Sequence, residues 1–197
     1  MKKMKTINEL ISDEVLSDQI ELRKIVRIAG KDINFGNDLK MDHYLKVLFL
    51  YFNPQSYGAR IQNRLIKEYD LEKIKSSLDK GDAISRNNLY LEIKASYRNI
   101  EDEFSFVQIR PYQNCDLYLL TAIDVEDNFK LYNFLINKQN ISEFLTKVKA
   151  GNCHGVSKNK KDTSNEELRF TVKFNSDLWK FMVKNYLTYF EEIKAQL

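Results

Sequence analysis

The chain has few of the residues on which disulfide scaffolds and histidine metal centres depend. Its 197 residues include two cysteines and two histidines. Cys115 and Cys153 lie far apart and form no CxxC pair, which argues against a disulfide framework and fits a reducing compartment. Because His43 and His154 are the only histidines, the sequence offers no histidine-rich metal cluster. Any chemistry must rest on other side chains.

Long apolar runs and nucleotide-binding motifs are also missing. The strongest apolar candidate, residues 44–52, is interrupted by Lys46 and stops before Pro54, short of the roughly 18 residues that span a bilayer. The basic start leads into acidic residues rather than into an apolar signal core. The absence of a Walker loop and of GxGxxG disfavours ATP-driven and nicotinamide-dependent roles. We expect a soluble, cytoplasmic protein with no membrane partner.

The residues that are present suit one globular domain. The 31 lysines and arginines nearly balance the 28 acidic residues, so any basic surface must be local. A hydrophobic fraction of 43% over 197 residues suffices for one full core. We expect a single domain over residues 1–197, of the α/β class, with a central mixed β-sheet flanked by helices.

The first part of the chain has helical spacing. Residues 1–80 are expected to be mainly helical. Apolar periodicity predicts helices over 7–28, over 39–52 after a cap at Asp38, and over 56–78.

Residues 81–175 change to the period of a strand. Strands are expected at 89–94, 104–110, 117–123, 129–136 and 168–174. The continuous apolar run at 117–123 is typical of a strand covered on both faces, near the centre of the sheet. A short helix is expected to begin at a Ser142 cap, and a C-terminal helix over 176–197 at a Ser176 cap.

The informative segment is a predicted hairpin that begins at Gly81. Because strand side chains alternate, Glu92 and Lys94 should emerge on one face while the residues beside them point into the core. If residues 86–88 form a three-residue turn, counting outward places Asp82 beside Glu92. Asparagine tolerates the left-handed conformation that such a turn needs, although a bulge would shift the pairing.

Paired carboxylates of this kind predict a metal site. Asp82 and Glu92 would repel one another unless a cation lay between them, and oxygen ligands favour Mg²⁺ or Mn²⁺ over zinc. A bound magnesium ion can polarise a phosphodiester and lower the pKa of a bound water. Lys94 would stabilise the charge of the transition state or help to position the nucleophile. The predicted reaction is hydrolysis of a phosphodiester.

The same residues carry a family resemblance. Asp82, nine further residues and then Glu92-Ile93-Lys94 resemble the PD-(D/E)XK nuclease signature, with Gly81 where the family often has proline. The resemblance implies a restriction-endonuclease-like core and a Mg²⁺ cofactor that Mn²⁺ can replace. It implies Asp82 and Glu92 as metal ligands, the Ile93 backbone carbonyl as a further ligand, and Lys94 as the catalytic lysine.

Many relatives add an acidic or amide ligand from the helix before the hairpin. Gln62 and Glu68 are the candidates for that role, and the sequence does not choose between them. Each also has an ordinary explanation, Gln62 as a solvated helix residue and Glu68 as the ion-pair partner of Arg64.

A bland alternative exists for the signature itself. Glu-x-Lys is common in lysine-rich chains, and Glu192-Ile193-Lys194 repeats it where a solvated helix is expected. The first copy could then be an edge hairpin whose Glu92 and Lys94 form an exposed ion pair.

Two further regions are candidates for contact with DNA. Gln108 and Arg110 are expected on one strand face, and the stretch Gln108-Ile109-Arg110 after the hairpin again resembles restriction-enzyme-like proteins. Arg110 would clamp a phosphate or pair with guanine, and Gln108 would position a water. The alternative is a structural Arg110 that pairs with Asp116 or Glu101.

The second region is the basic, glycine-bearing loop over residues 151–166. Its lysines suit phosphates, and its small polar side chains suit base edges. The predicted DNA-binding residues of this loop are His154, Ser157, Lys158, Asn159 and Lys160. A solvated loop without a ligand is the ordinary explanation.

Taken as a family member, the chain would be a type II restriction endonuclease-like enzyme. It would hydrolyse double-stranded DNA at a specific sequence in the presence of Mg²⁺, as a homodimer that cuts both strands of a palindrome. A cognate methyltransferase acting on the same site is left open. The alternatives are a junction resolvase or repair nuclease of the same fold, a non-catalytic nucleic-acid-binding module, and a structural or interaction protein.

Overall fold

A computed structural model of the chain describes residues 39–52, 57–77, 80–153 and 167–197. The chain divides into two compact units, Met1–Tyr57 and Gly58–Leu197, and each is described by itself. The single-domain organisation stays a prediction. The helix expected over residues 7–28 lies outside the described residues.

The described part of the first unit is dominated by helix α1 (Met41–Tyr51). The helix begins after Lys40, whose side chain makes no capping hydrogen bond. The predicted cap at Asp38 is therefore wrong, because the first helical turn starts further along the chain than that cap requires. The helix ends at Phe52 in an extended conformation, which suits a chain that approaches a proline.

The next helix, α2 (Tyr57–Glu68), is shorter than expected. It ends before Asp70, whose φ of 56° is left-handed and cannot continue a right-handed helix. The chain then forms strand β1 (Glu72–Ser77), so the helix predicted over residues 56–78 is wrong in its second half. Antiparallel pairing with the following strand holds β1 in place, and helical spacing in the sequence does not reveal that tertiary partner.

Eight strands in the described residues form two sheets. They are β1 (Glu72–Ser77), β2 (Gly81–Ile84), β3 (Tyr90–Tyr97), β4 (Glu103–Ile109), β5 (Leu117–Asp124), β6 (Lys130–Asn137), β7 (Gly151–Asn152) and β8 (Leu168–Lys173). The larger sheet has the order β1-β2-β3-β5-β6. Its β3 and β5 are parallel and its other neighbours antiparallel, which confirms the expected mixed sheet. Every residue of β5 is buried, as its apolar run predicts.

The smaller sheet is antiparallel, with the order β4-β8-β7. Phe104 and Phe106 of β4 and Phe170 of β8 are buried in one hydrophobic core with alternate residues of β5 and β6. Trp179, from a helix near the C-terminus, joins the same core and stacks on Phe104 with ring centroids 5.0 Å apart. Residues 151–152 of the loop expected over residues 151–166 form strand β7 instead, and residues 154–166 lie outside the described residues.

Three further helices lie in the second unit, one between β6 and β7 and two after β8. They are α3 (Ile141–Lys147), α4 (Asp177–Tyr186) and α5 (Phe190–Gln196). Ser142 does not cap α3, because a 3₁₀ turn runs directly into that helix and places Asn140 at the cap position, without a side-chain bond. None of the described helices combines the length and the apolar character that a membrane crossing needs.

The C-terminal segment differs from the single helix that was predicted. Ser176 does cap α4, since its hydroxyl accepts a hydrogen bond from the Trp179 N–H at 3.2 Å. The helix then stops at Leu187, which is extended and forms an isolated bridge with Phe134 of β6. Pairing with the sheet thus interrupts the helical pattern, and α5 begins anew at Phe190.

Candidate active site

The hairpin of β2 and β3 has the register that the sequence predicts. The Ser85 N–H donates to the Leu89 carbonyl at 2.9 Å, and the Asn88 N–H donates to the Ser85 carbonyl at 3.0 Å, which closes a three-residue turn. Asn88 occupies the left-handed position with φ of 61°. The pairs that follow, Ala83 with Leu91 and then outward, bring Asp82 beside Glu92.

Gly81 allows β2 to approach β3 closely at this point. Its φ is 89°, and a Cβ atom there would lie 2.5 Å from the Leu91 carbonyl oxygen. Proline is fixed near a φ of about −65°, so the proline that the family often has at this position cannot be accommodated. The chain departs from the family pattern here, and glycine is the residue that the observed backbone requires.

Asp82 is oriented by the strand beside it. Its Oδ2 accepts a hydrogen bond from the backbone N–H of Ile93 at 2.8 Å. The carboxylate is therefore fixed against β3 beside Glu92 and Lys94, and it remains 23% exposed. A charge-assisted bond of this kind orients the carboxylate without neutralising it.

Glu92 is the most unusual residue of the site. It is 1% exposed, and its Oε2 has no hydrogen-bond partner among the described residues. Burial raises the pKa of the Glu92 carboxyl, the Lys94 ammonium opposes that rise, and the charge of Asp82 adds to it. A buried carboxylate oxygen without a donor is costly, and such positions are frequently functional.

Lys94 supplies the positive charge of the site. Its ammonium forms an ion pair with Glu92 Oε1 and lies 4.0 Å from Asp82 Oδ2. Strand alternation therefore brings Glu92 and Lys94 to one face, as predicted. The alternative of an edge hairpin with an exposed ion pair does not fit, because β3 lies inside the sheet and Glu92 is buried.

One residue of β5, Tyr118, connects Glu92 to the turn after β4. Tyr118 pairs with Glu92 across the parallel strands, so the two side chains share one face of the sheet, and Tyr118 is fully buried. The Tyr118 hydroxyl donates to the Arg110 carbonyl at 2.8 Å. Lys138, which follows β6, donates to two carbonyls of the same turn. Sequence reasoning missed Tyr118 and Lys138, because their relation to the site depends on strand order.

Arg110 lies near the site and forms an ion pair with Glu167. Its Nε donates to Glu167 Oε1 at 3.0 Å, and a second guanidinium nitrogen binds the same oxygen. The predicted partners Asp116 and Glu101 are therefore wrong. Asp116 instead accepts a hydrogen bond from the Tyr90 N–H at 2.8 Å. Glu167 immediately precedes β8. Because β8 pairs with β4 in the smaller sheet, Glu167 comes close to Arg110 only in the folded chain.

Gln108 is exposed at an irregularity of β4. Its φ of 56° and the shift in register between Phe106 and Ile109 mark a bulge. The N–H of Gln108 donates to the buried Cys153 sulfur at 3.1 Å. Gln108 and Arg110 were expected on one face because side chains alternate in a regular strand. That alternation does not hold across this bulge. Contact of either residue with DNA stays a prediction.

The other predicted residues are either apart from the hairpin or undescribed. Glu68 forms an ion pair with Arg64 at 2.6 Å, as its ordinary explanation predicts. Gln62 is half-buried, and within the described residues neither it nor Glu68 bonds to Asp82 or Glu92. The predicted loop contacts His154, Ser157, Lys158, Asn159 and Lys160 lie outside the described residues.

The two hairpin carboxylates form a partial ligand set for a cation. In the described ranges no group of three or more histidine, cysteine or acidic side chains converges as a metal site. Asp82 and Glu92 nevertheless offer the hard oxygen donors that Mg²⁺ prefers, and the unpartnered Glu92 Oε2 is the donor that such an ion would satisfy. The residues present therefore fit a magnesium ion, to which Asp82 and Glu92 would contribute oxygen ligands.

Comparison with known proteins does not assign the chain to a family. No protein-family model matches it, and no curated protein matches it either.

Proposed function

We propose that the chain is a Mg²⁺-dependent endodeoxyribonuclease of the PD-(D/E)XK type, with a restriction-endonuclease-like core. The observation that carries this proposal is the convergence of Asp82, Glu92 and Lys94 on one hairpin, with a buried Glu92 oxygen that lacks a hydrogen-bond donor. A buried acidic side chain that is only partly neutralised lowers stability, and a catalytic role would account for its presence.

Each residue of the hairpin has a defined task in this proposal. Glu92, Asp82 and the Ile93 carbonyl would hold the magnesium ion, which when bound polarises the scissile phosphodiester and acidifies an attacking water. The Ile93 N–H keeps Asp82 in place. Lys94 would leave Glu92 as the cation arrives and stabilise the negative charge that develops on the phosphate.

The substrate and the setting of the reaction rest on the family resemblance. We infer cleavage of double-stranded DNA at a specific sequence by a cytoplasmic homodimer, with a methyltransferase of the same specificity as a candidate companion. Mn²⁺ is expected to replace Mg²⁺. A junction resolvase or a repair nuclease would share the site and differ in the DNA that it cuts.

One observation favours a non-catalytic DNA-binding module as the second candidate. The Lys94 ammonium forms an ion pair with one oxygen of Glu92, so the hairpin charges can coexist without a metal. In that case DNA would be retained in a salt-dependent manner, and magnesium would produce no cleavage.

Incubation of the purified protein with unmethylated plasmid, phage DNA and a synthetic four-way DNA junction separates these functions. Parallel reactions contain Mg²⁺, Mn²⁺ or EDTA, and the variants are Asp82→Asn and Lys94→Met, with Lys194→Met as the matched control. Discrete fragments from the wild type and from Lys194→Met, and from neither hairpin variant, would support the nuclease. Intact DNA in every reaction would overturn it, and cleavage of branched DNA alone would indicate a resolvase.

A further inference from the structure

The turn after β4, residues 110–113, is tied directly to the strand beside Glu92. Tyr118 lies across from Glu92 in the parallel pair, and its hydroxyl donates to the Arg110 carbonyl at 2.8 Å. Tyr118 is fully buried, so this bond is protected from water and specifies one position for the start of the turn. A single side chain thus connects the wall of the carboxylate site to the backbone of Arg110.

Lys138 fastens the same turn from the end of β6. Its ammonium donates to the carbonyls of Pro111 and Gln113 and lies 3.4 Å from the Tyr118 hydroxyl. Within the described residues no carboxylate forms an ion pair with Lys138, so its charge is compensated by peptide and phenol oxygens. An ammonium used in this way fixes the turn and adds positive potential beside it.

The side chain that this turn presents is the Arg110 guanidinium. It is 20% exposed, and its partner Glu167 is 27% exposed, so an incoming anion can reach the pair. Guanidinium binds phosphate through paired hydrogen bonds, whose geometry requires a fixed approach.

We propose that Tyr118 and Lys138 are positioning residues that hold Arg110 at the Glu92 site, where Arg110 binds a phosphate of the DNA backbone. The proposal rests on the nuclease function and adds to it the residues that place the phosphate. In the free protein the Arg110 guanidinium pairs with Glu167, and in the complex a DNA phosphate replaces Glu167 as its partner.

A double-mutant cycle tests this role. Tyr118→Phe keeps the ring and removes only the hydroxyl, and Lys138→Met removes the ammonium. Each is made with Arg110 intact and in an Arg110→Met background. Two quantities are measured: kcat/KM for cleavage of a supercoiled plasmid in Mg²⁺, and the affinity for a short fluorescent DNA duplex in Ca²⁺. Lys130→Met, at the opposite end of β6 and paired with Asp127, is the control.

With Arg110 intact, each variant should lower both quantities roughly tenfold, which is near the upper end of the effect of one lost hydrogen bond. In the Arg110→Met background neither should cause a further loss. Lys138→Arg should restore most of the affinity, because a guanidinium also donates to carbonyls, and Lys130→Met should have no effect. Equal losses in both backgrounds, or no loss with Arg110 intact, would overturn the proposal.

The two measurements separate this inference from the nuclease function. If the wild type binds the duplex but leaves the plasmid intact, the nuclease function fails. The double-mutant cycle can then still be evaluated from the duplex affinities, and it decides the role of Tyr118 and Lys138. If the wild type neither binds nor cuts, both proposals fail. Should Lys138→Met not fold, as judged by circular dichroism, the Tyr118→Phe cycle decides alone.

Discussion

Two copies of the tripeptide Glu-Ile-Lys occur in this chain, and they have different surroundings. In β3, Glu92 is 1% exposed and pairs with Lys94. In α5, Glu192 is exposed and caps the helix, with its carboxylate accepting from the Tyr189 N–H at 3.0 Å. Lys194 lies over the Phe190 ring, 4.5 Å from the centroid. The same three residues form a buried charge pair in one place and ordinary surface contacts in the other.

The difference follows from the period of each element. Alternate residues of a strand share a face, so Glu92 and Lys94 meet. Residues two apart on a helix point roughly 200° away from each other, so Glu192 and Lys194 diverge. The burial of Glu92 depends in addition on the neighbouring strand β5. The order of the strands determines that neighbour, and a tripeptide does not specify it. A short motif therefore acquires its chemistry from the element and the sheet that carry it.

The largest expected effect separates the two glutamates. Glu92→Gln should reduce plasmid cleavage on the order of 1,000-fold, because a catalytic cation contributes several kcal/mol to the transition state and the amide binds it poorly. Glu192→Gln should leave the rate unchanged. The measurement is the rate of plasmid linearisation in Mg²⁺, and equal rates for the two variants would remove the distinction between the copies.

The next effect separates Lys94 from Lys194 in both cleavage and metal affinity. Lys94→Met should slow cleavage about 100-fold, because one group that stabilises the transition-state charge is lost. It should yet bind Mn²⁺ about tenfold more tightly, because a positive charge no longer competes for the Glu92 carboxylate. Lys194→Met should match the wild type in both respects. Titration calorimetry without DNA measures the affinity, and weaker binding by Lys94→Met would mean that the ammonium does not compete with the cation.

The two carboxylates should also differ in their effect on stability. Burial raises the pKa of Glu92, so the folded state holds this proton more tightly than the unfolded state. The free energy of unfolding in EDTA should therefore fall as the pH rises from the ordinary glutamate range through the raised pKa. Glu92→Gln should lose this decline and Glu192→Gln should keep it. Urea denaturation across that pH range gives the slope, and identical slopes would contradict the assignment.

The smallest effect concerns the residue that pairs with Arg110. Glu167→Gln should strengthen binding to a DNA duplex by about two- to threefold, since a partly exposed ion pair contributes little and its removal frees the guanidinium. Glu191→Gln, on the exposed helix of the second copy, is the matched control. Fluorescence anisotropy in Ca²⁺ measures the affinity. Weaker binding by Glu167→Gln would indicate that Glu167 orients the Arg110 guanidinium for DNA rather than competing with DNA for it.

The hairpin could be predicted from sequence because its determinants are local. The turn residues set the register, Asn88 accepts the left-handed conformation, and alternation assigns the faces. β1 could not be predicted in this way, because its partner strand outweighs its helical spacing. The break in the C-terminal helix likewise depends on the bridge between Leu187 and Phe134.

The surroundings of the site were less accessible to prediction. Glu167 reaches Arg110 across the smaller sheet, and Tyr118 reaches Glu92 through a parallel pair. Both relations require the order of the strands, which neighbouring residues do not encode. The apolar run of β5 did indicate an interior strand, but nothing in that run distinguishes Tyr118 from its buried neighbours.

The hairpin also has a consequence for the order of events during folding. Asp82 and Glu92 are separated by only nine residues, so their strands can close within microseconds, as isolated hairpins do. The parallel partner β5 is reached only after the chain has passed through β4, which belongs to the other sheet, and such non-local pairing is slow. A newly made chain would thus carry an accessible acidic hairpin first, and the dry environment of Glu92 would arise when β5 docks.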